Sequence, residues 1–220
     1  MIEEKKGLLR DIEYASDITL EGLVHPARVL IRLREAAAGY DGRAVFSGLN
    51  MEIAQGERIA VSGGNGQGKS TLLKVIAGEL EPMKGSVNRA SGLIISTLPQ
   101  QAEGRGTPRE IGERMGLDLS YFLMLLRKLD FPREAFERDM SGFSMGQKKK
   151  VMLAASMAVP AHLYLWDEPL NYVDLPSREQ IETMLSETAA TLLFVEHDRH
   201  FEERVATRRI DLGDMLKFEK

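Results

Sequence analysis

A glycine-rich run in the first third of the chain constrains the fold more than any other feature of the sequence. Residues 63–71 read GGNGQGKST and match the G-x-x-x-x-G-K-[ST] pattern of a phosphate-binding loop. The run at 57–62 before it predicts a strand, and the run at 71–77 after it predicts a helix that ends at Gly78. In this context backbone N–H groups and a helix N-terminus can bind phosphate, so a plain glycine turn is the weaker interpretation.

Two polar residues of this loop have a predicted chemical task. Lys69 is expected to reach the β- and γ-phosphates of a nucleotide, and the Ser70 hydroxyl is expected to bind Mg²⁺. The predicted ATP-binding residues of the loop are Gly63, Gly64, Asn65, Gly66, Gln67, Gly68, Lys69, Ser70 and Thr71.

Composition excludes several classes of protein. The 220 residues are 43% hydrophobic and 28% charged, which is typical of a globular protein with a sizeable core. The net charge of −4 argues against a broadly basic nucleic-acid surface, although not against a local patch. The chain lacks cysteine, a signal-peptide core and any apolar run of the roughly 18 residues that a membrane span needs. We therefore expect a cytoplasmic location without direct membrane insertion.

The order of the remaining segments predicts an α/β protein. Short, nearly all-apolar runs at 163–166 and 191–195 are typical of strands buried on both faces, as in a parallel sheet. Helical periodicity dominates 108–138 and 151–159. Further strands are predicted at 29–33, 45–53 and 93–98, a turn at 39–42, and a charged, partly amphipathic helix at the N-terminus over residues 1 to about 25.

Two acids follow the apolar run at 163–166. Asp167 lies where a strand would end and can hold Mg²⁺ opposite Ser70. Glu168 follows it and can polarise the water that attacks a γ-phosphate. The alternative is a pair of solvated acids at a strand terminus, which the glycine loop upstream makes less favourable.

The segment that opens the 151–159 helix predicts a second anion site. Ser144, Met145, Gly146 and Gln147 place a serine and small residues at a helix N-terminus. The simpler interpretation is an N-cap alone. The lysines at 148–150 indicate either a nucleic-acid patch or, in our preferred interpretation, a solvated helix face.

Taken in order, these motifs resemble the ATP-binding cassette (ABC) ATPases over about residues 28–212. The resemblance implies a P-loop NTPase of ABC type, with a mixed, largely parallel sheet core, an antiparallel β part and a small helical subdomain at about 104–158. Residues 1–27 would be a linker tail and 213–220 a C-terminal tail.

The resemblance also assigns roles to residues that are weak signals alone. It makes Ser144, Met145, Gly146 and Gln147 the signature that contacts the ATP of a partner cassette, with Met145 in place of the first glycine of S-G-G-Q. It implies that Gln100, with Gln101 as the alternative, binds Mg²⁺ and senses the γ-phosphate. It makes His197 a switch histidine and Asp174 part of the D-loop. Tyr40 would stack on adenine, whereas the alternative is a buried core tyrosine.

Finer details are similar to the ABC-F branch of this family, whose members carry two cassettes and act on the ribosome. Residues 167–174 read DEPLNYVD and fit the D-E-P-x-N-x-x-D of the second cassette in such proteins, and residues 194–198 read FVEHD, as in the antibiotic-resistance branch. The resemblance implies a Mg²⁺-dependent ATPase, catalysed by Glu168, His197 and Gln100, that pairs with a second cassette and reaches the ribosome through its parent protein. The alternatives are the ATPase subunit of a membrane transporter and a binding module without hydrolysis.

Overall fold

The computed structural model describes residues 18–20, 22–101 and 105–215. The helix predicted near the N-terminus lies mostly outside these residues, and the described part of it, 18–20 and 22–25, contains no helix. Leu20 is buried there and its carbonyl accepts a hydrogen bond from Thr188 Oγ1 at 2.7 Å. For these described residues the prediction is therefore wrong, because they have no regular secondary structure and Leu20 packs on the domain.

A five-stranded sheet forms the centre of the molecule, and all of its strands are parallel. Neighbouring strands are hydrogen-bonded in the order β5, β6, β7, β3, β8. Both of the short apolar runs identified in the sequence are central strands with every residue buried. The strands are β3 (Arg58–Ser62), β5 (Ile95–Leu98), β6 (Leu163–Asp167), β7 (Leu192–Val195) and β8 (Arg208–Asp211).

A separate three-stranded antiparallel sheet is built from β2 (Arg43–Ala54), β1 (Val29–Tyr40) and β4 (Lys84–Arg89), in that order. The predicted parallel core and antiparallel β part are thus both present, as two separate sheets. The β1 strand extends further than predicted, since the turn is confined to Asp41 and Gly42, which have φ values of 52° and 76°. Two residues with positive φ suit a tight hairpin, and this turn places Tyr40 at the strand end.

Helices cover the parallel sheet, and the sheet separates two cores. The side chains of Tyr164 and Trp166 face the core that includes the helical segment 108–158, whereas Leu163 and Leu165 face the core shared with the antiparallel sheet. The helices are α1 (Lys69–Ala77), α2 (Pro108–Arg114), α3 (Leu119–Lys128), α4 (Met145–Ala158), α5 (Leu175–Glu187), α6 (Arg199–Val205) and α7 (Leu212–Met215), with short 3-10 turns at Arg133–Ala135 and Met140–Gly142.

Candidate ATP-binding site

The glycine loop connects β3 to α1, as the sequence predicts. Gly63, Gly66 and Gly68 have φ values of 140°, 80° and 95°, which side chains other than glycine rarely adopt. A Cβ at Gly68 would also lie 2.8 Å from a methyl carbon of Val45. The ammonium of Lys69 donates hydrogen bonds to the carbonyl oxygens of Gly63 at 2.8 Å and Gly64 at 3.1 Å. These bonds hold the cation over the loop that is expected to bind phosphate.

A cleft of about 370 Å³ opens at this loop and brings distant parts of the chain together. The parallel strands place their carboxyl ends at one edge, so the loop after β3 and the acids after β6 meet there. Gln100, from the segment after β5, lines this cleft, and both Gln100 and Gln101 line a neighbouring cleft of about 490 Å³. The residues around the first cleft are Val45, Asn65, Gly66, Gly68, Lys69, Ser70, Thr71, Gln100, Asp167 and Glu168.

The side chains of Ser70 and Asp167 suit a divalent cation. Ser70 and Asp167 line the same cleft, and Asp167 is 5% exposed. Its Oδ1 atom has no hydrogen-bond partner among the described residues, which is costly for a buried carboxylate oxygen. Burial raises the pKa of Asp167, although the Ser70 hydroxyl opposes this. A hydroxyl, a carboxylate and the Gln100 amide are the hard oxygen ligands that Mg²⁺ prefers.

No group of three or more His, Cys, Asp and Glu side chains within the described ranges is arranged to hold a metal. A cation in this cleft would therefore need further oxygen ligands from the nucleotide phosphates, as is usual for Mg²⁺ in nucleotide sites.

Glu168 lies beside the histidine that the sequence assigns to the site. Its Oε1 atom is 3.4 Å from Nε2 of His197, and its Oε2 atom accepts a hydrogen bond from the side-chain amide of Asn171. Glu168 has a φ of 49°, an unusual backbone conformation for a glutamate. No separate role for Asn171 was predicted from the sequence. Its position three residues after Glu168 was the feature that could have indicated one.

Two of the lysines at the start of α4 are buried, so the predicted solvated helix face is wrong for them. Lys149 is 1% exposed and Lys150 is 7% exposed. The Lys149 ammonium donates to the carbonyl oxygens of Pro99 at 3.1 Å, Gln100 at 3.3 Å and Asp167 at 3.0 Å. Burial lowers the pKa of Lys149 to about 8. The prediction failed because a lysine triplet gives no sign of which face of the helix rests on the sheet.

A buried acid next to His197 also escaped the sequence analysis. Glu196 is 6% exposed at the end of β7. Burial, followed by the negative charge of Glu168, raises the pKa of Glu196 to about 7. The site therefore holds three carboxylates around Lys149, namely those of Asp167, Glu168 and Glu196.

The predicted signature begins α4 with a capping box. Ser144 Oγ accepts from the Gln147 backbone N–H at 3.2 Å, and Gln147 Oε1 accepts from the Ser144 N–H at 3.0 Å. Met145 is 44% exposed. A Cβ on Gly146 would lie 2.4 Å from the carbonyl oxygen of Tyr172, so the segment after Glu168 packs directly on the signature.

Asp174 joins the same surface. Its Oδ2 atom is 2.5 Å from Nζ of Lys150, and its Oδ1 accepts from the Ser177 N–H at 3.1 Å. Burial disfavours the charged form, but the hydrogen bonds from Lys150 and Ser177 outweigh it and lower the pKa of Asp174 to about 2. Within the described residues, this signature surface does not line the cleft at the glycine loop.

Tyr40 is 46% exposed, so it is not the core tyrosine that sequence analysis kept as an alternative. The ammonium of Lys74 lies 5.9 Å from the centroid of its ring. Tyr40 does not line the cleft itself. The partly exposed ring therefore lies at the surface beside Lys74 of α1.

Comparisons with known proteins agree with this geometry. The family model described as ABC transporter matches residues 46–171, more than half of the chain. ABC transporter F family member 2 of Arabidopsis thaliana is 31% identical over 85% of this chain and 29% of its own length. The ribosome protection protein VmlR of Bacillus subtilis is 31% identical over 92% of this chain and 38% of its own length. The chain thus spans about a third of the curated relatives it matches.

Solved structures share the fold. The ATP-binding subunit of an ABC transporter superposes with a TM-score of 0.73 at 24% identity, covering 83% of this chain and 85% of that one. An ABC transporter ATP-binding protein from Pyrococcus furiosus gives a TM-score of 0.68 at 21% identity, covering 85% and 99% of the two chains.

Within the described residues, every helix is too short or too polar to cross a lipid bilayer. The matched region contains the glycine loop, Gln100, the signature and the two acids after β6. The chain belongs to the ABC family, as one ATP-binding cassette.

Proposed function

We propose that this chain is one cassette of an ABC-F-type protein that hydrolyses Mg-ATP in a head-to-tail cassette pair and acts on the ribosome. The similarity to a ribosome protection protein over 92% of the chain supports this assignment and, with it, a role in translation or antibiotic resistance in the cytoplasm. We assign the cassette to 28–212, its helical subdomain to about 104–158, a linker tail to 1–27 and a C-terminal tail to 213–220.

One observation carries the proposal: the cleft gathers the glycine loop, Gln100, Asp167 and Glu168, but not the signature at 144–147. A signature that caps a helix away from the cleft of its own chain can serve the cleft of another. Exposed apolar side chains lie in the signature and in the segment that follows β6, since Met145, Tyr172 and Leu175 are 44%, 65% and 68% exposed. Such a patch suits a surface that is covered when two cassettes close.

The residues around the nucleotide divide the work. Lys69 would leave the carbonyls of Gly63 and Gly64 for the β- and γ-phosphates, where the charge-assisted bonds are stronger. Ser70, Asp167 and Gln100 would hold Mg²⁺, which neutralises charge on the phosphate oxygens. The loop N–H groups and the N-terminus of α1 would hold the phosphates in place.

Glu168 would take the proton of the attacking water. His197 and Asn171 hold its two carboxylate oxygens, so the base is fixed before ATP arrives. In the pair, Ser144 and Gly146 would contact the phosphate of the other chain, and Asp174 would keep the adjoining loop in register. Release of phosphate would remove the charge that joins the cassettes, and the pair would open.

The ribosome assignment is tested by cosedimentation of the full-length parent. Glu168→Gln parent protein with Mg-ATP is expected to sediment with ribosomes, because a cassette that binds ATP without cleaving it stays closed. The Glu168→Gln/Lys69→Ala double variant is the matched control and should remain in the supernatant. Sedimentation with membrane vesicles instead of ribosomes would support the transporter-subunit alternative and contradict the proposal.

A further inference from the structure

The ammonium of Lys149 bridges two segments that are far apart in sequence. Its three acceptors are the backbone carbonyls of Pro99 and Gln100, after β5, and of Asp167, at the end of β6. A buried cation is costly unless it is compensated, and here three carbonyl dipoles and the surrounding carboxylates compensate it. Both segments carry a side chain that we assign to the metal, Gln100 or Asp167.

The packing of α4 on the sheet does not depend on this lysine alone. Near the other end of the helix, Ser156 Oγ accepts from Trp166 Nε1 at 2.9 Å and lies 2.7 Å from Ser96 Oγ. These bonds, together with buried neighbours such as Val151 and Leu153, already tie α4 to β5 and β6. Lys149 acts instead at the N-terminal end of α4, five residues after Ser144.

We propose that Lys149 is a positioning residue for the metal side of the ATP site. By holding the backbone at Gln100 and Asp167 at a fixed separation, it aims both side chains at the place where Mg²⁺ would be held. Lys149 and the signature lie on the same helix, α4. A movement of Gln100 toward the γ-phosphate would therefore shift the N-terminal end of α4, which carries the surface that meets the partner cassette. This inference rests on the proposed metal site at Ser70, Gln100 and Asp167.

The test compares ATP affinity with Mg²⁺ and with EDTA, by calorimetry on the full chain. Lys149→Met should weaken Mg-ATP binding about tenfold, since two metal ligands lose their fixed positions. It should leave metal-free ATP binding within about twofold of the wild type, because the glycine loop and Lys69 supply that affinity. Lys149→Arg, which keeps a buried cation with donors, should restore part of the Mg²⁺ effect. Lys148→Met changes the adjacent lysine, which donates to no carbonyl among the described residues; it is the matched control and should change neither affinity.

Trp166, the single tryptophan of the chain, reports whether each variant is folded, because it lies beside Asp167 and contacts α4. If Lys149→Met does not fold, Lys149→Gln replaces it, since its amide is neutral but can still donate to a carbonyl. Equal weakening with and without Mg²⁺, or no weakening, in a folded variant would overturn the role of Lys149. If Mg²⁺ does not change the ATP affinity of the wild type, the metal site on which the inference rests is wrong.

Discussion

At the scale of single residues, the site depends on charges that are held by short-range contacts. Lys69 is held by loop carbonyls, Glu168 by His197 and Asn171, and Lys149 by three backbone carbonyls. Each of these groups would be costly to bury without its partners. Removal of one of these charged side chains should therefore lower nucleotide affinity more than it lowers the stability of the fold.

Lys69→Ala tests the cation over the glycine loop. We expect Mg-ATP affinity to fall roughly ten- to a hundredfold, because a hydrogen bond to a charged group is worth about 1.5–3 kcal/mol. Calorimetric titration measures the change, with Lys84→Ala, an exposed lysine on β4, as control. Unchanged affinity in Lys69→Ala would remove this lysine from the phosphate site.

Glu196→Gln tests the buried acid. The pKa of Glu196 is raised to about 7, so the folded state keeps a proton that the unfolded state has lost, and stability decreases as the pH rises from about 4.5 to 7. The glutamine variant lacks this penalty. The difference in free energy of unfolding between the variant and the wild type should therefore be about 2 kcal/mol more favourable to the variant at pH 8 than at pH 5. Urea denaturation at the two pH values measures the difference; a gain that does not change with pH would contradict the assignment.

At the scale of elements, the signature end of α4 and the loop after β6 behave as one unit. Gly146 allows the Tyr172 carbonyl to approach α4 closely. The Lys150–Asp174 ion pair makes a second link between α4 and the loop. The Tyr172 backbone has a φ of 64°, which a tyrosine adopts only when its surroundings enforce it. The two motifs should therefore move together when a partner cassette binds.

Gly146→Ala tests this contact. The new methyl would lie 2.4 Å from a backbone oxygen, so the loop must move, and we expect a loss of about 1–3 kcal/mol in the free energy of unfolding. Gly142→Ala, four residues earlier, meets nothing within 4 Å and is the matched control. If both variants have wild-type stability, the signature and the loop are not coupled by packing.

Local patterns predicted these elements to different degrees. The strand–loop–helix around 63–71 and the buried strands β6 and β7 were predictable because motif spacing and apolar runs depend on nearby residues only. The burial of Lys149 and Glu196 was not, since it depends on how α4 and β7 meet residues far away in the sequence. For the same reason the β1 strand was predicted too short, because its pairing with β2 continues to the Asp41–Gly42 hairpin.

At the scale of the whole molecule, the chain contains one glycine loop and one signature, on separate surfaces. If each ATP needs both, an isolated chain should bind Mg-ATP but hydrolyse it slowly, and turnover per chain should rise with protein concentration as pairs form. A steady-state phosphate-release assay, at chain concentrations from nanomolar to high micromolar, measures this dependence. Constant turnover per chain, with a single-chain mass throughout, would mean that one chain completes its own site.

Glu168→Gln gives the most direct test of the split site, through the mass of the chain by light scattering with and without Mg-ATP. The amide keeps the shape of the side chain but cannot accept the proton, so hydrolysis should fall at least about 10²-fold while binding persists. We predict that the 24.6 kDa chain forms a stable pair of twice that mass in Mg-ATP but not in ADP. A single-chain mass at saturating Mg-ATP, or turnover near that of the wild type, would contradict it.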